Sequence, residues 1–85
     1  MSAERLEELA VLVNRRFFDV SARLPSGTEI LHIRSSGNGP LFVVWRPQYG
    51  AYFQYGGPDQ KYARLGATAE QTAEEIGRIV GVAAS

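Results

Sequence analysis

Apolar residues recur at helical spacing near both ends of the chain and at every second position between them. Leu6, Leu9, Ala10, Val13 and Phe17 form one stripe, which predicts a helix over 3–16. Ser2 stands at its N-cap, Glu4 in its first turn, and Arg15 and Arg16 in its last, each on the side the helix dipole favours. Val11 and Leu12 widen the stripe beyond one face. Over 18–24 the period falls to two: Val20, Ala22 and Leu24 point one way, and Asp19, Ser21 and Arg23 the other. Pro25-Ser26-Gly27 marks a turn. A second alternating run over 28–35 sets Leu31 and Ile33 against Ile30, His32 and Arg34.

Asn38-Gly39, between two apolar runs, predicts a hairpin turn, since both residues tolerate positive φ. The run Leu41-Phe42-Val43-Val44-Trp45-Arg46 is almost continuously apolar and reads as a central strand ended by Pro47. After a turn at Gln48-Tyr49-Gly50 comes a short fourth strand over 51–55. Residues 58–67 read as loop, anchored by Tyr62 and Leu65. Thr68-Ala69-Glu70-Gln71 is a capping box that opens a second helix running to Val80, with Gly81 as its C′ residue. Ala69, Ala73 and Gly77 place small residues at four-residue spacing, a pattern that favours close packing inside the chain.

The expected fold is α+β, a single domain over 1–85. A three- or four-stranded antiparallel meander carries an N-terminal and a C-terminal helix packed on one face. That arrangement leaves the other sheet face open.

Composition changes the picture by exclusion. Eighty-five residues are too few for a doubly wound nucleotide-binding fold. The absence of cysteine excludes disulfides and thiolate chemistry, and the single His32 excludes a multi-histidine metal site. No apolar run reaches the roughly 18 residues of a membrane span, and the acidic opening residues are unlike a signal or transit peptide. A soluble, cytoplasmic protein without membrane contact is expected. At this size dimerisation is one way to add buried surface, so a homodimer is one expected state.

The zero net charge hides a segregation. From Asn14 to Gly66, seven basic side chains face three carboxylates, a net +4; the two ends carry two arginines against six glutamates, a net −4.

Candidate catalytic groups are sparse. Asp19 and Glu29 are isolated surface carboxylates, and His32 on the strand of Ser35 is not placed as base to nucleophile. Ser36-Gly37-Asn38-Gly39 joins two strands instead of opening a helix, and Gly56-Gly57-Pro58 lacks the lysine and helix of a phosphate loop. The pattern implies no catalytic residue, no cofactor and no metal.

The informative constellation is the open sheet face. With Val20, Leu31, Ile33, Val43 and Trp45 toward the helices, the opposite face carries Arg23, His32, Arg34, Phe42, Val44 and Arg46. The fourth strand adds either Phe53 and Tyr55 or Tyr52 and Gln54, and Tyr52 is its candidate contact. Arginine with aromatic and aliphatic residues suits a protein interface. The expectation is a non-enzymatic interaction domain docking a protein partner, with a second copy of the chain as one candidate. Nucleic-acid binding by the same basic face is the alternative. A third reading is a small ligand-binding protein or enzyme with a pocket near the 56–66 loop.

The helix–meander–helix order resembles the double-stranded RNA-binding domain. That family places a lysine cluster at the start of its second helix, where this chain has Glu70, Glu74 and Glu75, so no RNA-binding residue carries over. The chain also resembles small actinobacterial proteins of unknown function. The likeness rests on its leucine-bearing first helix, Phe18-Asp19-Val20-Ser21-Ala22, Leu31-His32-Ile33-Arg34, Tyr52-Phe53-Gln54-Tyr55 and the alanine-rich final helix.

Overall fold

A computed structural model describes residues 2–17, 19–35, 38–55 and 63–80. The order is α1 (Ser2–Arg16), β1 (Val20–Arg23), β2 (Leu31–Ser35), β3 (Asn38–Arg46), β4 (Ala51–Gln54), β5 (Arg64–Gly66) and α2 (Ala69–Val80). The five strands form one antiparallel sheet in sequence order, β1-β2-β3-β4-β5.

The fold class is the expected α+β, but the sheet has five strands where three or four are predicted from the pattern. The extra strand falls in the stretch read as loop: Arg64 pairs with Phe53 and Gly66 with Tyr52, while Leu65 points inward and is buried. Three residues are too few to show a period. Tyr62, the other expected anchor, and Gly81, the expected C′ residue, lie outside the described residues.

The hairpin between β2 and β3 also differs. Ser35 pairs with Asn38, so Asn38 and Gly39 already belong to β3 and the Asn-Gly pair is not the turn. The β3–β4 connection is a turn over 47–50. Tyr49 N–H donates to Arg46 O, Gly50 N–H donates to Pro47 O, and Gly50 has φ 58°, a conformation that favours glycine.

One core lies between the helices and one sheet face. Leu6, Leu9 and Val13 of α1, with Phe17 just beyond it, meet Val20, Ala22, Leu31, Ile33, Leu41, Val43 and Tyr52 of the sheet and Ala73, Ile76 and Val80 of α2. Burying each large aliphatic side chain contributes about 1.5–3 kcal/mol. Of the two residues that widen the α1 stripe, Leu12 packs against this core and Val11 is exposed.

The small residues of α2 have a specific neighbour. A Cβ at Gly77 would lie 2.7 Å from Phe17 Cζ, so glycine makes room for the ring that closes α1 onto α2. Gly66 is similarly confined, with Thr72 N 3.0 Å from a Cβ built there. The start of α2 is capped as its sequence implies: Gln71 N–H donates to Thr68 Oγ1 at 3.1 Å. The Gln71 side chain reaches one residue further back than in a standard capping box, accepting from Ala67 N–H at 3.2 Å.

Candidate interaction face

Strand register sorts every strand residue to one of two faces. Arg23 stands opposite His32, and His32 opposite Phe42. Tyr55 N–H donates to Phe42 O at 2.7 Å, which extends this row past β4. The next row runs from Val44 to Phe53 to Arg64. Arg34, opposite Ser21, lies two residues beyond His32 on one side of these rows, and Arg46, opposite Ala51, lies two residues beyond Val44 on the other.

The arginines therefore surround the centre. Arg23 and Arg64 lie on the two edge strands, and Arg34 and Arg46 at the two ends. His32, Phe42, Val44 and Phe53 fill the middle. With strands about 4.8 Å apart and a rise of about 3.3 Å per residue, the patch is roughly 20 Å on each side.

The centre is partly self-sealed. Val44 is only 8% exposed although it points away from the helices, and it does not join the main core. The His32 and Phe42 rings meet edge to face, with centroids 4.9 Å apart and planes at 83°. Tyr49, 69% exposed in the β3–β4 turn, leans on Phe53 at 5.6 Å.

Six of the seven expected face residues lie together here: Arg23, His32, Arg34, Phe42, Val44 and Arg46. Tyr52 does not. It pairs with Trp45 in register, turns toward the helices and is 0% exposed. Its hydroxyl donates to Arg5 O in α1 at 2.7 Å, and its ring meets Trp45 edge to face at 4.9 Å. Arg5 in turn lies over the Trp45 ring, 4.9 Å from its centroid. Burial, reinforced by Glu8 and opposed by Arg5, pushes the Tyr52 phenol up to about 12. Alternation along β4 gives the open face to Phe53, with Tyr55 following, which is the other of the two registers the pattern allows.

Arg64 and Tyr49 are face residues that pattern reading does not single out. Arg64 falls in the stretch read as loop, and Tyr49 in a turn. Their arginine and aromatic types are the only sequence signal they carry.

The open face is basic, whereas the helices carry both signs: α1 has Arg5, Arg15 and Arg16 against Glu4, Glu7 and Glu8, and α2 has Arg78 against Glu70, Glu74 and Glu75. All four charged residues in the five strands are arginines, and all four point to the open face. None is paired with a carboxylate among the described residues. Glu4, Glu7, Glu8, Glu70 and Glu74 are exposed on the helices, which cover the opposite face. Glu75, also on α2, makes an ion pair with the exposed Arg78, whose guanidinium is held further toward its charged form by that contact.

Among the described residues no group of three His, Cys, Asp or Glu could hold a metal ion, and no helix is long and apolar enough to cross a membrane. Residues 56–62, where a ligand pocket is the third expectation, lie outside the described residues. The chain matches no family model, no curated protein and no solved structure.

Proposed function

We propose that this chain is a non-enzymatic docking module whose open sheet face receives an acidic surface of another protein. The observation that carries this reading is the ring of Arg23, Arg34, Arg46 and Arg64 around an aromatic and aliphatic centre, with no carboxylate on a strand among the described residues. An apolar centre inside a polar rim is the usual anatomy of a protein interface. The patch size suits a small, transient contact.

The charge pattern supports a partner other than a second copy of the chain. A second copy docked face to face would oppose four arginines to four arginines, a like-charge arrangement that costs stability. A second copy docked by the glutamates of α2 would make a heterologous, head-to-tail contact, which builds a ring or a filament instead of a two-fold dimer. A different protein, with carboxylates around an apolar centre, satisfies both the rim and the middle.

Ring geometry favours protein over nucleic acid. Stacking platforms offer ring faces to bases, whereas His32 and Phe42 are turned edge to face against each other. The glutamates of α2 add repulsion toward a polyanion.

The test is capture from lysate with wild-type and Phe42→Glu baits, each with and without nuclease. Far-UV circular dichroism checks that both baits are folded. The expected result is an acidic protein retained after nuclease by the wild type and lost with Phe42→Glu. Recovery that vanishes on nuclease treatment transfers the face to nucleic acid. Equal capture by a folded Phe42→Glu bait overturns the assignment of the face.

A further inference from the structure

Strand β1 is an edge of the sheet: its inner side pairs with β2, and among the described residues no strand pairs with its outer side. Such an edge is a template for another strand. Here one side chain occupies it. Ala22 N–H donates to Asn14 Oδ1 at 2.8 Å, and Asn14 Nδ2 donates to Ala22 O at 3.0 Å. Both peptide groups of Ala22 are therefore turned outward, away from Ile33, its register partner on β2. In an antiparallel pair, residues alternate between exchanging both bonds with the partner strand and exchanging none. Ser21 and Arg23 then carry the ladder to β2, and Ala22 offers a donor and an acceptor to the outside.

A carboxamide has the donor and acceptor of a peptide group. Asn14, projected from the last turn of α1, thus stands where the backbone of a sixth strand would be. Its own chain position gives no helix-forming reason for asparagine, a residue that competes with helical backbone bonds.

We propose that Asn14 guards a strand-pairing edge: without its amide, β1 pairs antiparallel with β1 of a second copy, in a two-fold register centred on Ala22. That register is self-complementary. The two Ala22 residues exchange both outward bonds, as a hydrogen-bonded pair requires. Arg23 of each copy falls opposite Ser21 of the other, so no arginine opposes an arginine. Leu24 falls opposite Val20, which keeps the apolar residues of both copies on one side. The same two-fold operation makes the contact isologous and closed. This edge is distinct from the open face, so the inference stands or falls independently of the docking assignment.

The experiment compares the wild type with Asn14→Ala, Asn14→Leu and Asn14→Asp by sedimentation across a wide concentration range, with circular dichroism as the fold check. Asn14→Ala and Asn14→Leu are expected to shift from monomer to a concentration-dependent dimer relative to the wild type. Asn14→Asp keeps an acceptor for Ala22 N–H and puts a charge at the edge, which itself blocks pairing, so it is expected to sediment as the wild type does. The register is read by cross-linking. The chain has no cysteine. In the Asn14→Ala background, a mixture of Ser21→Cys and Arg23→Cys proteins should form the mixed disulfide, and either protein alone should not, because facing residues in such a pair approach within disulfide range. Folded Asn14→Ala and Asn14→Leu proteins that sediment like the wild type overturn the proposal. So does loss of the native signal in both, which would make Asn14 a structural tie. Dimers without the mixed disulfide overturn the register.

Discussion

Replacing Gly77 by alanine opposes two effects of similar size, and the structure says which prevails. Alanine in a helix interior is favoured over glycine by about 1 kcal/mol. Against that, the new Cβ would lie 2.7 Å from Phe17 Cζ and 2.9 Å from Phe17 Cε1, inside ordinary contact distance. Phe17 is 4% exposed and its N–H is held by Val13 O at 3.1 Å, so the ring cannot swing into solvent without opening the core. Overpacking of this kind costs typically 1–3 kcal/mol. The expected net effect of Gly77→Ala is therefore a loss of about 1 kcal/mol, or a fall in Tm of roughly 4–8 °C for a domain of this size. Phe17→Leu removes the ring tip that clashes. In that background Gly77→Ala should become stabilising, recovering the helix-propensity gain of about 1 kcal/mol. Urea unfolding of the four proteins, followed by far-UV circular dichroism with an unchanged m-value, measures the coupling. A coupling of about 1–3 kcal/mol is expected. Stabilisation by Gly77→Ala to the same extent in both backgrounds would show that the close approach of α1 and α2 does not limit residue 77, and the reasoning would fail.

Two further perturbations test the buried tyrosine and the helix cap. The Tyr52 phenol ionises near pH 10 when unfolded and near 12 when folded, so the unfolded chain loses its proton first and stability should fall as pH rises from about 10 to 12. The loss is on the order of 2–3 kcal/mol; Tyr52→Phe should lack this part of the alkaline decline in urea titrations at stepped pH, and an identical decline in both proteins would contradict it. Thr68→Ala removes the acceptor for Gln71 N–H and should cost about 1 kcal/mol by thermal unfolding, whereas Thr68→Ser should retain most of the cap; equal losses in the two variants would show that the hydroxyl is not what caps α2.

Both helices, the alternation of β1 and β2, the turn after Arg46 and the α+β class are legible in the residue pattern alone. Each of these repeats a signal over several residues: the stripe from Leu6 to Val13, the pattern from Val20 to Arg23, the cap at Thr68. Six face residues were legible for the same reason, because alternation in β2 and β3 assigns His32, Arg34, Phe42, Val44 and Arg46 together, and Arg23 alternates with buried Ala22. The remaining features depend on how the elements pack. The run from Ala51 to Tyr55 carries an aromatic side chain in either register, so its pattern is compatible with both faces. Pairing with β3 selects one of them: Tyr52 turns under α1, where its hydroxyl finds Arg5 O, and Phe53 turns out. A slip of one residue would reverse that choice, since neighbouring strand residues point to opposite faces. Strand β5 is too short to have a period and exists because β4 offers an edge and Leu65 a side chain to bury. Asn14 shows the limit most plainly. On α1 it is one more polar residue at an exposed position, and only the packing of that helix beside β1 brings its amide to both peptide groups of Ala22. Local periodicity records which face of an element is buried; it does not record which other element lies within hydrogen-bonding reach, because that distance is set by the packing of the whole chain.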